Sequence, residues 1–203
     1  MKIIAIGRNY VAHAHELNNP VPEKPVIFLK PDTAILKDNK DFYLPDFSKE
    51  VHHEIEIVIR ICKEGKHVQR KFADTYYDSI GLGIDFTARD LQAEHKQKGL
   101  PWELAKAFDQ SAPVSTLIPK NTFADIYNIN FCLKKNGEEV QIGNTNNLIF
   151  SFESIISFVS EYITLRKGDL IFTGTPAGVG PVAIGDHLEG YIEDQKLLDF
   201  NIK

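Results

Sequence analysis

Cysteine is nearly absent from the 203 residues: Cys62 and Cys132 are the only two, in separate apolar segments, with no C-x-x-C spacing and no neighbouring ligand residues. This excludes a zinc knuckle or a disulfide framework, and both read as small buried hydrophobes. No apolar run approaches the ~18 residues of a membrane span. The opening Lys2-Ile3-Ile4-Ala5-Ile6-Gly7 is also too short for the apolar region of a signal peptide. The chain is therefore expected to start at Met1 and work in the cytoplasm, without a membrane partner. Positive charge is not in excess, with 23 Lys and Arg against 28 Asp and Glu and a formal net charge of -5, which disfavours a nucleic-acid surface. The one basic cluster, Lys63 to Lys71, is interrupted by Glu64, Gly65 and Val68 and reads as a solvated turn. Repeats, low-complexity tracts and Ser/Gly linkers are lacking too, so residues 1–203 are expected to form a single domain.

What is present is a chain 43% hydrophobic and 25% charged, long enough to bury well over half of its unfolded surface. Short apolar segments bounded by Gly, Pro, Asn and Asp recur along it, the pattern of a mainly β protein with short helices, in the α+β class. Strands are expected at Lys2 to Ile6, Val26 to Lys30, Ile55 to Cys62, Ser79 to Phe86, Asn128 to Lys134, Leu170 to Thr173, His187 to Ile192 and Leu197 to Ile202. Asn136-Gly137 between alternating flanks predicts a type I′ hairpin. Two segments read as helices. One opens at Thr87, with Asp90 completing a capping box, and closes at Gly99 before Pro101. The other is Ser151 to Tyr162, with Phe152, Ile155, Ile156 and Val159 on one face.

Acidic residues then interrupt apolar strands. In Val51 to Arg60 the period of two puts Ile55, Ile57 and Ile59 on one face and Glu54, Glu56 and Val58 on the other. Taken alone, this also describes a half-exposed strand with its glutamates in water. Asp85 adds a third acid: Ile80, Leu82, Ile84 and Phe86 share one face, and Gly81, Gly83 and Asp85 share the opposite one. The glycines allow another group to approach, so Asp85 is expected to point into a cleft. If the two strands are neighbours, the three carboxylates repel one another and raise their pKa values unless a cation joins them. An all-oxygen set with few protein ligands suits Mg²⁺ or Mn²⁺, and Ca²⁺ less well.

Around these acids lie an acid–base pair and several anion-binding groups. His13 and Glu16, three apart in a short helical stretch, share a face, so Glu16 can orient the imidazole as a general base; the alternative is a polar, solvated turn. Asn18-Asn19-Pro20-Val21-Pro22-Glu23-Lys24-Pro25 has the composition of a mobile cover. Thr173-Gly174-Thr175-Pro176-Ala177-Gly178-Val179-Gly180 lacks the Lys-Ser/Thr of a phosphate loop and the dinucleotide fingerprint, so a nucleotide or other organic cofactor is not expected. Its backbone amides could still hold a small carboxylate, with Thr175 adding a hydroxyl, or it is a plain structural turn. Arg89 and Gln92 share a helix face just beyond Asp85, and Lys106 is a lone cation among apolar neighbours.

Six motifs run in order from residue 7 to residue 180. They are Gly7-Arg8-Asn9-Tyr10 with His13 and Glu16, Phe28-Leu29-Lys30-Pro31, His53-Glu54-Ile55-Glu56, Asp85-Phe86-Thr87-Ala88-Arg89-Asp90-Leu91-Gln92, Lys98-Gly99-Leu100-Pro101-Trp102, and the Thr173 to Gly180 loop. Together they resemble the fumarylacetoacetate hydrolase family, and within it the single-domain acylpyruvate hydrolase and oxaloacetate decarboxylase or tautomerase branch. The resemblance implies a mixed β-sheet roll of the C-terminal-domain type, a lid at about residues 11–24 and a homodimer. It implies Mg²⁺ or Mn²⁺ on Glu54, Glu56 and Asp85, catalysis by His13, Glu16 and Lys106, and substrate contacts from Arg8, Lys30, Arg89, Gln92, Lys106 and Thr175. The implied substrates are small 2-oxo or dicarboxylic acids: acylpyruvates cleaved to pyruvate and a carboxylic acid, or oxaloacetate decarboxylated or tautomerised. Alternatives are an isomerase or decarboxylase of 2-hydroxyhepta-2,4-diene-1,7-dioate type substrates and a metal–dicarboxylate binding module without turnover.

Overall fold

In the computed structural model, which describes residues 1–17 and 19–203, β-branched and aromatic residues in short alternating runs build two main sheets. Asn18, part of the expected cover, lies outside the described residues. The larger sheet has six strands in the order Val26–Lys30, Ile3–Gly7, Leu170–Phe172, Ile55–Ile61, Tyr77–Ile84 and Ile118–Pro119. Only the Ile3–Gly7 and Leu170–Phe172 pair is parallel, so the sheet is mixed. A four-stranded antiparallel sheet follows the order Glu138–Asn144, Asn130–Lys135, His187–Ile192 and Gln195–Asn201.

The expected face assignment holds. Ile55, Ile57, Ile59, Ile80, Leu82 and Ile84 are fully buried and join a core that also takes Phe131, Leu133, Leu188 and Phe200 from the smaller sheet. The helix Phe152–Tyr162 adds Phe152, Ile155, Ile156 and Val159 to it. Burial of each such side chain contributes roughly 1.5–3 kcal/mol. Val58 faces the other way, into a second cluster with Ile3, Ala5 and Phe172. The groups that approach the two glycines are the protein's own: a Cβ on Gly83 would stand 2.5 Å from the Phe172 ring, and one on Gly81 would stand 2.6 Å from Leu117.

Local signals fare unevenly. Asn136 and Gly137 both have positive φ, 55° and 84°, as the hairpin requires, and the return strand Glu138–Asn144 completes it. Ser151 caps the last helix by accepting from the Ser154 amide. The other helix runs Arg89–Lys98 and ends on Gly99 at φ 65°, but Thr87 does not cap it. Thr87 sits in a short strand paired with His52, its hydroxyl donates to the Asp85 carbonyl, and Asp90 instead accepts from Ser48 and the Lys49 amide. The strand expected to reach Phe86 stops at Ile84, and the Val51 to Arg60 run breaks at Glu54 into Val51–His53 and Ile55–Ile61. Cys62 and Cys132 are unpaired as expected but half-buried, outside the core. No helix among the described residues is long and apolar enough to cross a membrane.

Candidate active site

The break at Glu54 and the strand end at Ile84 lie side by side. Ile55 pairs with Ile84 and Glu56 with Gly83, and the Asp85 amide donates to the Glu54 carbonyl at 2.8 Å. Glu54, Glu56 and Asp85 are thereby brought together, with one oxygen from each within 4.8 Å of the others and all three residues buried. The half-exposed alternative for the glutamates is thus excluded.

Cations are arranged asymmetrically around them. Lys106, on the short helix Glu103–Lys106, places its ammonium 2.6 Å from Asp85 Oδ2, 2.9 Å from Glu54 Oε2 and 2.5 Å from Thr87 Oγ1. Arg89 donates to Glu54 Oε1 at 2.6 Å and to Gln92 Oε1 at 2.6 Å. Lys30 Nζ lies 2.6 Å from Asp85 Oδ1 and also donates to Ser111 O, Ser111 Oγ and, at 3.4 Å, Phe86 O. Asp85 Oδ1 thus has the Lys30 ammonium as its ion-pair partner, without an aligned hydrogen bond. Glu56 is offered the Gly174 amide at 2.7 Å.

The electrostatic consequences diverge. Burial by itself would raise the Glu54 pKa, but Lys106, Arg89 and His13 overcome it and hold the group well below the ordinary carboxylate range. Burial and then the Asp85 charge push Glu56 well above that range, against the pull of the Gly174 amide. Burial would lower the Lys106 pKa, but Asp85 and Glu54 raise it above its ordinary value. Three buried carboxylates that converge, one of them destabilised in its charged form, fit a divalent cation: they make an all-oxygen donor set.

The acids line a narrow cavity of about 30 Å³ whose wall also includes Arg8, His13, Arg89, Gln92, Lys106 and Thr175. Lys30 does not line it and stands behind Asp85. His13 lies on the helix Val11–Glu16, and its Nδ1 is 3.1 Å from Glu16 Oε2. The other Glu16 oxygen accepts from the Gly178 amide at 2.9 Å. The Thr173 to Gly180 loop does offer its amides to carboxylates, but the ones it holds are the protein's own Glu56 and Glu16.

Several residues escaped the sequence reading. Gln141 accepts from the Ile55 amide and lies 2.9 Å from His53 Nδ1 through Oε1, while its Nε2 donates to Thr175 Oγ1 and the Pro176 carbonyl. It thus ties the strand that carries the acids to the Thr175 loop. Phe28, Lys96 and Trp102 also line the cavity. Phe28 and Trp102 belong to the Phe28 to Pro31 and Lys98 to Trp102 motifs, which assign neither a position, and Lys96 lies outside every motif.

The family model described as fumarylacetoacetate (FAA) hydrolase C-terminal matches residues 2–202. The chain belongs to the fumarylacetoacetate hydrolase family. Among its relatives, oxaloacetate tautomerase FAHD1, mitochondrial, of Mus musculus is 43% identical over 201 residues, covering 99% of this chain and 91% of that protein. The crystal structure of fumarylpyruvate hydrolase from Pseudomonas aeruginosa in complex with Mn²⁺ and pyruvate superposes with a TM-score of 0.94 at 35% identity, covering 100% of this chain and 89% of that one. A 5-carboxymethyl-2-hydroxymuconate delta-isomerase from Mycobacterium smegmatis gives a TM-score of 0.86 at 36% identity, covering 99% and 78%. The expected mixed-sheet family fold is therefore the observed one, and the chain is an enzyme of this family.

Proposed function

We propose that the chain is a Mg²⁺- or Mn²⁺-dependent enzyme of small 2-oxo acids, acting on oxaloacetate by keto–enol exchange or decarboxylation and on acylpyruvates by C–C hydrolysis. The observation that carries this reading is the convergence of Glu54, Glu56 and Asp85 in the cavity that His13 also lines. The similarity to an oxaloacetate tautomerase and to a fumarylpyruvate hydrolase supports the substrate class. A divalent cation held by the three carboxylates would supply Lewis-acid compensation for negative charge growing on the substrate's C2 oxygen.

The chain's own residues do the rest. Glu16 fixes His13 through Nδ1, which leaves Nε2 to exchange protons with the substrate. In keto–enol exchange His13 takes a proton from C3 and a proton is returned at the C2 oxygen. In hydrolysis His13 takes a proton from water, the hydroxide adds to the C4 carbonyl, the C3–C4 bond breaks and C3 regains a proton, releasing pyruvate and a carboxylic acid. Arg89 and Gln92 bind and orient the substrate carboxylate, with Lys106 and Thr175 beside them. Lys30 holds Asp85 from behind. The same reading takes residues 1–203 as one catalytic domain, residues 11–24 as its cover and a homodimer as its assembly.

The test is release of pyruvate and CO₂, together with enol absorbance, over oxaloacetate, acetylpyruvate and fumarylpyruvate, with and without chelator. His13→Ala should leave Mg²⁺ and oxalate binding nearly intact while turnover falls ~10²-fold or more. Turnover undiminished in that variant would remove His13 as the base, and turnover indifferent to chelator would remove the cation.

A further inference from the structure

Four cations line the cavity, Arg8, Arg89, Lys96 and Lys106, against the three carboxylates Glu54, Glu56 and Asp85. Arg89 and Lys106 are paired with these acids. Among the described residues Arg8 and Lys96 have no acid partner and no side-chain hydrogen bond, although they stand close enough to repel. The Lys96 pKa is lowered first by burial of its ammonium and then by Arg8, Arg89 and Lys106. Lys96 is exposed as a whole residue, but its ammonium is 5.7 Å from the centroid of the Trp102 ring, on the cavity wall.

Arg8 also lines the cavity, just beyond the Ile3–Gly7 strand. Its φ is 62°, a left-handed conformation that a non-glycine residue keeps only when its surroundings impose it. The next residue, Asn9, is fully buried and bonded to Phe150 O, Thr173 O and the Phe150 amide, which anchors the chain beside Arg8. The lining carries one positive charge in excess of its acids, and a divalent cation would make the excess three. A substrate with a single carboxylate answers one of these charges. A substrate with a second carboxylate at its far end answers two, and places the second where the unpartnered cations are.

We infer that Lys96, which shares the cavity wall with Arg8, forms a subsite for the far carboxylate of a dicarboxylic 2-oxo acid and sets the enzyme's preference for such acids over monocarboxylic ones. This rests on the function proposed above and adds the residue that selects the substrate. Losing a charged hydrogen bond at a partly shielded site weakens binding roughly ten- to hundredfold. The test uses Lys96→Met, which keeps the aliphatic stem, and Lys96→Arg, with Mg²⁺ present. Calorimetry compares oxalate, which has no carboxylate beyond its adjoining pair, with 3,3-difluorooxaloacetate, whose second carboxylate lies at the far end of the chain and which cannot enolise. Steady-state kinetics compare oxaloacetate with acetylpyruvate.

Lys96→Met should weaken difluorooxaloacetate and raise the KM for oxaloacetate by roughly tenfold or more, leave oxalate and acetylpyruvate within about threefold, and be largely restored by Lys96→Arg. Equal losses on both members of each pair, or no loss, would overturn the subsite while leaving the proposed function standing. Selective loss of difluorooxaloacetate binding in a protein that turns over neither substrate would keep the subsite and overturn the function. Failure of the unaltered chain to bind difluorooxaloacetate at all would overturn the subsite, whereas absence of turnover on every 2-oxo acid would overturn the function.

Discussion

Replacing Glu56 by glutamine should stabilise the chain when divalent cations are withheld, although it alters a buried residue of the candidate site. The side chain is 2% exposed and its charge faces Asp85 and Glu54. At the 4.8 Å that bounds the spacing of the three acids, two carboxylates repel by about 3.5 kcal/mol at an effective dielectric constant of 20. Lys106 offsets part of this, so a net gain of ~1–3 kcal/mol is expected from the substitution. Glutamine keeps an acceptor for the Gly174 amide. The pH dependence has a definite sign. Burial and Asp85 raise the folded-state pKa of Glu56 above its ordinary 4.5, so folding takes up a proton. The metal-free protein has its full stability from this group below that ordinary value and loses it as pH rises towards the folded-state value. The advantage of Glu56→Gln should therefore be absent at acid pH and grow towards neutrality. Urea unfolding with chelator, repeated with excess Mg²⁺, measures both effects. Mg²⁺ should stabilise the unaltered chain and the variant much less. A variant less stable than the parent in chelator at neutral pH, or one stabilised equally by Mg²⁺, would refute the electrostatic account of the cluster.

Two further outcomes follow from the same contacts. Lys106→Met removes the partner of both Glu54 and Asp85 and should cost ~3–5 kcal/mol in chelator, largely recovered by excess Mg²⁺; thermal unfolding in the two conditions checks this. Gln141→Leu abandons four polar groups, on Ile55, His53, Thr175 and Pro176, and should cost ~2–4 kcal/mol while lowering turnover more than it changes the Mg²⁺ dissociation constant. Chemical denaturation and a cation titration of the variant measure these separately.

The sequence disclosed the parts of this protein that depend on periodicity. The alternation in Ile55, Ile57 and Ile59 marks the core face, and the acids on the opposite face are the ones that meet Asp85. What it concealed depends on long-range competition. Thr87 has the chemistry of a helix cap, but a Lys106 ammonium 19 residues away and the Asp85 carbonyl claim its hydroxyl. Gln141 was hidden by an inverted pattern: on its strand the glutamine is buried at 1% exposure and the neighbouring Ile142 is 65% exposed, the reverse of what amphipathic alternation leads one to expect. The glycine-rich loop was legible as a carboxylate binder, whereas the identity of the carboxylates was not, because nothing local links Gly174 to Glu56 or Gly178 to Glu16.

The Glu16 contact reaches further than its own helix. Each of its oxygens is engaged, one by the imidazole and the other by an amide 162 positions along the chain. Gly178 in turn tolerates no side chain, since its φ is 98° and a Cβ would fall 2.2 Å from the Val140 carbonyl. The aim of the N-terminal imidazole is therefore inherited from a glycine near the opposite end of the polypeptide, so a substitution there would be felt as a misdirected ring at His13.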